Sequence, residues 1–414
     1  MRLLLATSPE NRPDFLTLPF DRPIDDWPAE MVVDIPTGVH RHPVRFVGSD
    51  DCLFALKELP GKLAHHEWHV LRRIATDGIP AVEAVGVVHE RGGGLDDVLI
   101  TRHLDYSMPV RLILARHQAP AFREHLIDAV AVLLVRLHLV GFFWGDCSLS
   151  NTLFRRDAGA LSAYVVDVET AELHPTLTDG QRRYELDLME VNVLGGLFDL
   201  EAERGLPPGL DPVEIAQTLR RRYEELWAEL TAEDVVPVGE RWRIDERLRR
   251  LNALGFDTEE IELSRDEERL VRFRPAVVEA GHHRRRLIRL TGVDAQENQA
   301  RRLLNDMASY RAYIEQRDGA TLPEAIAAYR WLHDVYEAAL AEVPDHLTDR
   351  RDSAELFHEI LGHRDLLRER DGVDIRVPEA AADFARFVLP DEQVERTLAE
   401  SPNDDDGEIS SSEA

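Results

Sequence analysis

Two short stretches in the first half of the chain, each with an acidic side chain beside apolar residues, are the most informative part of the sequence. Residues 144–151 read WGDCSLSN and follow a long apolar run at 121–138, which predicts a loop behind a buried helix. Residues 165–169 read VVDVE and lie at the end of a predicted short apolar strand. Asp146 and Asn151 are five positions apart, so one loop can present a carboxylate and an amide to the same site.

Two charged residues upstream belong to the same pattern. Lys57 lies in a predicted strand at 52–58, and Glu67 lies in the helix predicted at 62–75. Lys57 and Lys62 are the only lysines among 49 basic residues. Where nearly every basic residue is arginine, a retained lysine indicates a position that needs a compact point charge rather than a planar guanidinium.

Together these residues supply the groups that phosphoryl transfer from a nucleotide requires. A cation must hold the α- and β-phosphates and a carboxylate must fix that cation, which predicts Lys57 and Glu67 in these roles. A second carboxylate must orient the acceptor hydroxyl and take its proton, which predicts Asp146 as a catalytic residue. An amide oxygen and a carboxylate must hold Mg²⁺, which predicts Asn151 and Asp167 as metal ligands.

These motifs resemble the protein-kinase-like phosphotransferase superfamily, and most closely its aminoglycoside phosphotransferase and lipopolysaccharide (Kdo/heptose) kinase branches. Those branches write the loop as H-G-D-x-x-x-x-N and the metal strand as I-D-x-E or I-D-F. Leu137-His138 before Gly141 also resembles their L-H-x-x-G sequence. The motif resemblance covers about residues 30–200, and the whole chain resembles an actinobacterial family labelled lipopolysaccharide-kinase-like.

The resemblance implies a two-lobed fold with ATP bound in the cleft between the lobes. It places the hinge between the lobes near residues 101–104, so Thr101 and His103 are expected to contact the nucleotide together with Lys57 and Glu67. It also implies that Asp187 is the buried carboxylate that holds the catalytic loop from a later helix.

Three departures from the family pattern keep a second hypothesis open. The hairpin at 36–43 has a single glycine, Gly38, instead of a G-x-G-x-x-G motif. Trp144 stands where the family has histidine, and Ser148 stands where protein kinases have lysine. A catalytically inactive pseudokinase scaffold, which binds a protein partner through its C-terminal domain, is therefore the alternative.

Two further groups of residues each allow two interpretations. Glu169 is either a second Mg²⁺ ligand or the ion-pair partner of an arginine. A basic cluster in the C-terminal half either binds the anionic part of a ligand or partner, or forms a solvated helix face paired with acids. It consists of His282, His283, Arg284, Arg285, Arg286 and Arg289. Asn298, Gln299 and Asn305, on the helix predicted next, are candidates for the same pocket by proximity alone.

The predicted fold class is α+β, with a two-lobed kinase-like domain followed by a mainly helical C-terminal domain. Gly and Pro residues at 205–209 mark the expected boundary between the two domains. The predicted divisions are a small lobe at about 1–104, a large lobe at about 105–205, a helical domain with a short strand pair at 206–390, and a disordered acidic tail at 391–414.

Composition excludes several classes of function. The 78 acidic and 49 basic residues give a formal charge of −29, which argues against general nucleic-acid binding. The longest apolar run is interrupted by Arg136 and His138, so no transmembrane segment is predicted. A secretory leader is not expected, and two cysteines form no disulfide framework, so we expect a cytoplasmic protein.

The sequence therefore predicts an ATP- and Mg²⁺-dependent phosphotransferase that acts on a hydroxyl group, with a sugar or another small metabolite as the expected acceptor. A protein serine or threonine as acceptor, and transfer of AMP instead of phosphate, stay open. The sequence does not indicate an oligomeric state.

Overall fold

The computed structural model describes most of the chain. The described residues are 1–6, 15–35, 41–49, 52–116, 120–232, 234–237, 240, 242–253, 256–265, 270–372 and 375–392. The predicted glycine-poor turn at 36–40 and nearly all of the predicted acidic tail lie outside them.

The small lobe is an antiparallel sheet with one helix packed on it. Its elements are β1 (Arg2–Leu5), β2 (Val44–Ser49), β3 (Cys52–Leu59), α1 (Gly61–Thr76), β4 (Glu83–His89) and β5 (Asp97–Arg102). The strand order is β1-β4-β5-β3-β2, so β3 lies between β5 and β2. The pairing of β3 with both neighbours places Lys57 opposite Val44 on one side and Leu99 on the other.

The helix α1 forms because its apolar side chains recur at helical spacing, and Trp68, Leu71 and Ile74 are buried against the sheet. Three short 3-10 turns cover the other face of the sheet. Phe15 and Ile24 from two of these turns, and Phe20 and Trp27 from the residues between the turns, are buried in a second small-lobe core.

Two details of the N-terminal region differ from the sequence-based expectation. The prolines in residues 1–30 predict an irregular segment, but β1 pairs with β4 and forms one edge of the sheet. The sequence MVVDI at 31–35 predicts a strand, but it is reduced to one antiparallel bridge between Val33 and Phe46. A 3-10 turn occupies Ala29–Met31 after Pro28, because a proline at this point favours a turn over a ladder.

The large lobe is mainly helical and contains one long hairpin. Its elements are β6 (Met108–Pro109), α2 (Val110–Arg116), α3 (Pro120–Leu139), β7 (Phe142–Phe143), β8 (Thr152–Asp157), β9 (Ala160–Val165), β10 (Glu172–Leu173), α4 (Asp179–Arg204) and α5 (Pro212–Thr231). The strands β8 and β9 pair antiparallel, and the short strands β7 and β10 pair with each other. The small and polar residues at 142–154 predict a loop throughout, but β7 and the start of β8 lie within this region.

The core of the large lobe continues beyond residue 205. Gly205, with a φ of 77°, ends α4, and the Asp211 side chain accepts a hydrogen bond from Val213 N to begin α5. The buried face of α5, which includes Leu219 and Tyr223, belongs to the same hydrophobic core as α3 and α4. The domain division predicted at residue 205 stays a prediction, but α5 packs as part of the large lobe.

The C-terminal half contains a small sheet followed by helices with their own core. Its elements are β11 (Asp234–Pro237), α6 (Trp242–Ala253), β12 (Phe256–Arg265), β13 (Leu270–Ala280), α7 (His282–Thr291), α8 (Glu297–Asp318), α9 (Glu324–Trp331), α10 (Ala338–Leu340), α11 (Asp345–Thr348), α12 (Ser353–Asp371) and α13 (Val377–Phe387). The three strands pair in the order β11-β13-β12. A π-helical segment, Leu332–Glu337, joins α9 to α10. The named strands of the described residues all pair antiparallel, and helices pack beside these sheets, which confirms the α+β class.

The C-terminal core surrounds Trp331 and Phe357, whose rings contact edge to face with centroids 5.7 Å apart. Within the described residues, no helix combines the length and the apolar character that a membrane-spanning segment needs.

Candidate active site

A cluster of one cation and three carboxylates lies between the two lobes. Lys57 Nζ lies 3.1 Å from Glu67 Oε2, 2.7 Å from Asp167 Oδ2 and 3.6 Å from Glu169 Oε2. β3 supplies the lysine and α1 supplies Glu67, while both remaining carboxylates follow β9. The fold thus brings together four residues that the sequence analysis had singled out.

The charges in this cluster control each other's protonation. Burial raises the pKa of Glu67 to about 7, and the neighbouring charge of Asp167 adds to this shift. Burial acts to lower the pKa of Lys57, but the charges of Glu67 and Asp167 outweigh it, so the pKa of Lys57 is raised. Lys57 therefore remains a cation at neutral pH, as a phosphate-binding group must.

The loop at 144–151 presents the carboxylate of Asp146 to solvent in a fixed orientation. Asn151 Nδ2 donates to Asp146 Oδ2 at 3.0 Å, and Asn192 Nδ2 donates to Asp146 Oδ1 at 3.0 Å. With its amide nitrogen engaged, Asn151 has its amide oxygen available as a ligand atom. Asn192 lies on α4, and the sequence analysis missed it because no motif includes it.

A buried glutamate holds this loop. Glu185 Oε1 accepts from Trp144 N at 2.7 Å and from Gly145 N at 2.8 Å, while Glu185 Oε2 lies 2.8 Å from His138 Nε2. The expectation that Asp187 has this role is wrong. Asp187 is exposed and pairs with Arg220 at 2.8 Å, because it lies on the opposite face of α4.

Trp144 connects the loop to the metal strand. Its indole is fully buried, and Nε1 donates to the backbone oxygen of Asp167 at 2.7 Å. Gly145 follows with a φ of 78°, and a Cβ there would lie 2.9 Å from Thr170 O. The loop and the end of β9 are therefore fixed relative to each other by a side chain and by a close backbone approach.

Glu169 lies among basic side chains. Besides Lys57, Arg41 Nη1 lies 3.3 Å from Glu169 Oε1 and His42 Nε2 lies 3.1 Å from Glu169 Oε2. The arginine pairing that the sequence analysis left open is therefore present. Glu169 Oε2 is nevertheless buried without a hydrogen bond among the described groups, which is compatible with a role as a metal ligand.

The oxygen atoms at this site fit a Mg²⁺ ion that is bound together with a nucleotide better than a metal ion held by protein side chains alone. Among the residues that the structure describes, no three or more His, Cys, Asp or Glu side chains form a metal-binding group. Mg²⁺ commonly binds through one or two carboxylates together with substrate phosphates and water. Asp167, Asn151 and Glu169 supply oxygen ligands of this kind, so the residues present fit a nucleotide-bound Mg²⁺.

The predicted hinge at 101–104 begins within the last two residues of β5. Thr101 pairs with Ala55 of β3, and His103 N donates to Leu53 O at 2.8 Å. Burial lowers the pKa of the His103 imidazole, whose ring lies 5.8 Å from that of Phe46. Contact of Thr101 and His103 with a nucleotide stays a prediction.

The basic cluster lies on α7, far along the chain from Lys57 and its carboxylates. Acidic side chains lie next to it. The ion pairs are His283 with Glu297 at 2.7 Å, Arg284 with Asp294 at 2.6 Å, and Arg286 with Glu324 at 2.6 Å. Ligand binding by the whole cluster, including His282, Arg285 and Arg289, stays a prediction. The pairing with acids is the feature that the alternative interpretation expected.

Two families match separate parts of the chain. Residues 52–197 match the lipopolysaccharide kinase (Kdo/WaaP) family, which confirms the resemblance indicated by the motifs. Residues 225–389 match a domain of unknown function (DUF4032). No curated protein is significantly similar to the chain.

Among solved structures, the chain is similar to "WaaP in complex with acyl carrier protein". The similarity has a TM-score of 0.38 and 19% sequence identity, and it covers 61% of this chain and 99% of that chain.

Proposed function

We propose that the protein transfers a phosphoryl group from ATP, with Mg²⁺, to a hydroxyl group of a small acceptor. The observation that carries the proposal is the position of Lys57 Nζ, within 3.1 Å of Glu67 and 2.7 Å of Asp167. These residues come from β3, from α1 and from the segment after β9. An exposed strand lysine without a function would not require two buried or half-buried carboxylates from separate elements.

Lys57 holds the α- and β-phosphates of the nucleotide, and Glu67 keeps the ammonium group in place. Asp167 and Asn151 hold Mg²⁺, with Glu169 as a further ligand. The metal, when bound, neutralises charge on the transferred phosphoryl group. The contribution of the protein is then positioning and electrostatic stabilisation rather than covalent chemistry.

Asp146 accepts the proton of the acceptor hydroxyl. Its side chain reaches solvent, so an acceptor can approach it. Asn151 and Asn192 each donate to one of its oxygens, which fixes the carboxylate plane toward the cleft. A sugar or a similar small metabolite fits the family match at 52–197, and a reducing cytoplasm fits the free cysteines Cys52 and Cys147.

Calorimetric titration of ATP, with and without Mg²⁺, tests the nucleotide site. Wild type is expected to bind ATP in a Mg²⁺-dependent manner, and Asp167→Asn is expected to lose this dependence. Asp199→Asn is the matched control, because Asp199 is an exposed aspartate on α4. Absence of ATP binding, or binding that is indifferent to both metal and mutation, refutes the proposal and favours a pseudokinase scaffold.

Turnover on a panel of sugars and other hydroxyl metabolites tests the reaction itself. Asp146→Asn is expected to lower turnover by roughly 10²–10⁴-fold while ATP affinity stays nearly unchanged. The mass added to the product identifies the group transferred: about 80 Da for a phosphoryl group and about 329 Da for AMP. Unchanged turnover in Asp146→Asn removes this residue from the mechanism.

A further inference from the structure

The hairpin of β8 and β9 connects the candidate metal ligands to the C-terminal helices. Asn151 comes directly before β8, and Asp167 follows β9 by two residues. At this open end, Val166 N donates to Asn151 O at 3.1 Å. The two strands pair over six residues each, so the tip of the hairpin lies about 20 Å from the metal ligands.

At the tip, a buried carboxylate of the large lobe caps a helix of the C-terminal domain. Asp157, at the end of β8, is 1% exposed, and its Oδ1 accepts from Gln299 N at 2.8 Å. Its Oδ2 accepts from Asn298 Nδ2 at 3.0 Å and from Ser162 Oγ at 2.9 Å. Gln299 lies in the first turn of α8, where backbone N–H groups have no partner within the helix and favour negative charge.

A second set of bonds holds the backbone of the same tip. Gln299 Nε2 donates to Arg156 O at 3.1 Å and to Glu355 Oε2 at 2.6 Å. The same oxygen of Glu355, on α12, accepts from Ala158 N at 2.9 Å. Both Gln299 and Glu355 are buried, so these bonds are made away from water.

Two further contacts join the strands themselves to the C-terminal domain. Tyr164, on β9, donates its hydroxyl to Gln296, which precedes α8. Arg155, on β8, lies 3.2 Å from Asp352, which caps α12. Contacts therefore occur along both strands as well as at the tip.

We propose that the C-terminal helical domain positions the metal ligands Asn151 and Asp167 through this hairpin, with Asp157, Asn298 and Gln299 as positioning residues. The inference rests on the proposed function. The two-residue strand β6 pairs with this hairpin only at Leu153 and Phe154, near its open end, so β6 does not hold the tip. Mg²⁺ demands near-ideal octahedral geometry. Holding the closed end of the hairpin limits the movement of its open end, where the metal is bound.

The proposal gives Asn298 and Gln299 a different role from the one expected by proximity to the basic cluster. Their side chains and backbone bind a carboxylate and a carbonyl of the large lobe instead of lining a ligand pocket. Loss of these partners leaves Asp157 buried with fewer donors, which is costly, so the two domains remain in contact at this point.

Asn298→Ala tests the proposal in the full chain, with Asn305→Ala as the matched control. Asn298 is half-buried, and its replacement removes one donor to Asp157; Asn305 is an exposed asparagine on the same helix. The Mg²⁺ concentration that half-saturates ATP binding is measured by calorimetry, and thermal unfolding is recorded in parallel. We expect Asn298→Ala to raise this concentration by about 3- to 10-fold and Asn305→Ala to leave it unchanged.

Asp157→Asn is the second variant, since it keeps the shape of the side chain and removes its charge. It is expected to raise the half-saturating Mg²⁺ concentration at least as much as Asn298→Ala. A lower unfolding temperature with an unchanged Mg²⁺ requirement in both variants means a merely structural contact and overturns the inference. Failure of wild type to bind ATP with Mg²⁺ is a different result, because it refutes the proposed function itself.

Discussion

Glu185→Ala is expected to destabilise the protein far more than Asp187→Ala, although the two residues lie two positions apart on α4. Glu185 is fully buried and accepts from Trp144 N, Gly145 N and the His138 side chain. Its removal leaves these three groups without their partner and opens a cavity that water does not fill freely. Asp187 is exposed and pairs with an arginine on the surface.

The magnitudes follow from the partners that each substitution removes. Each buried donor left unsatisfied costs about 1–3 kcal/mol, so the loss of three partners in Glu185→Ala is expected to cost about 3–9 kcal/mol of unfolding free energy. An exposed ion pair contributes about 0–1 kcal/mol. Arg220 also keeps Glu190 at 2.6 Å and Glu224 at 3.2 Å after Asp187→Ala, so the loss is expected at the lower end of this range.

Glu185→Gln removes the charge of the carboxylate and keeps the shape of the side chain. In Glu185→Gln the amide oxygen can still accept from Trp144 N and Gly145 N. The charge-assisted bond to His138 is lost, which is expected to cost about 1.5–3 kcal/mol. The expected order of stability is therefore wild type, then Asp187→Ala, then Glu185→Gln, then Glu185→Ala.

Urea unfolding followed by tryptophan fluorescence measures this order, and Mg²⁺-dependent ATP binding measures the effect on the site. Glu185→Gln is expected to weaken turnover because the Asp146 loop loses part of its support. If Asp187→Ala has an unfolding midpoint as low as that of Glu185→Ala, the assignment of Glu185 as the group that holds the loop is refuted.

Three further predictions concern other parts of the chain. Gly145→Ala is expected to lower the free energy of unfolding by about 1–3 kcal/mol and to lower turnover, because the added Cβ meets Thr170 O at a positive φ. Gly196→Ala, in α4 with open space around it, is expected to stabilise the protein by about 0.5–1 kcal/mol in the same urea assay. Burial raises the pKa of the Glu355 carboxyl to about 7, so the unfolded chain loses the carboxyl proton at lower pH than the folded protein does. The free energy of unfolding therefore falls as pH rises from about 4.5 to 7, and Glu355→Gln is expected to reduce this fall by at most about 3 kcal/mol between pH 5 and pH 8. Lys57→Arg is expected to lower kcat/KM for ATP by about 10–100-fold in steady-state kinetics, because a planar guanidinium cannot replace the compact ammonium between two carboxylates.

The residues that define the candidate site were predictable because their spacing is set by chemistry. The interval between Asp146 and Asn151 fits one loop, and Asp167 follows an apolar strand. The retained lysine and Glu67 lie on adjacent elements, which the fold brings within 3.1 Å. Each of these spacings lies within one loop or joins neighbouring elements, so it can be recognised from the sequence alone.

The motif alone does not tell whether Glu185 or Asp187 is the buried carboxylate that holds the loop. Two positions on a helix are about 200° apart, so the two side chains point in opposite directions. Glu185 is in phase with the buried residues Met189, Val193 and Leu197, at intervals of four, whereas Asp187 is out of phase. Helical periodicity of α4 therefore identifies the buried carboxylate, and position relative to a motif does not.

Contacts between distant segments could not be predicted in this way. Asn192 reaches Asp146 across 46 positions, and Gln299 reaches Asp157 across 142 positions. Asparagine and glutamine are common on exposed helix faces, so their identity gives no indication of a buried partner. The capping of α8 by a carboxylate of the large lobe follows from the packing of segments that are far apart in the sequence, which no local pattern encodes.

The departures from the kinase pattern in the catalytic loop leave Asp146 and Asn151 in place and change how the loop is held. Trp144, in place of histidine, is buried and donates to the backbone of Asp167, so it fixes the loop against the metal strand. Ser148, in place of lysine, accepts from Asn151 N at 3.2 Å and lies 3.0 Å from Ser150 Oγ. Neither substitution removes Asp146, and both support the residues beside it. These two departures therefore weigh less for an inactive scaffold than their positions in the motif suggest.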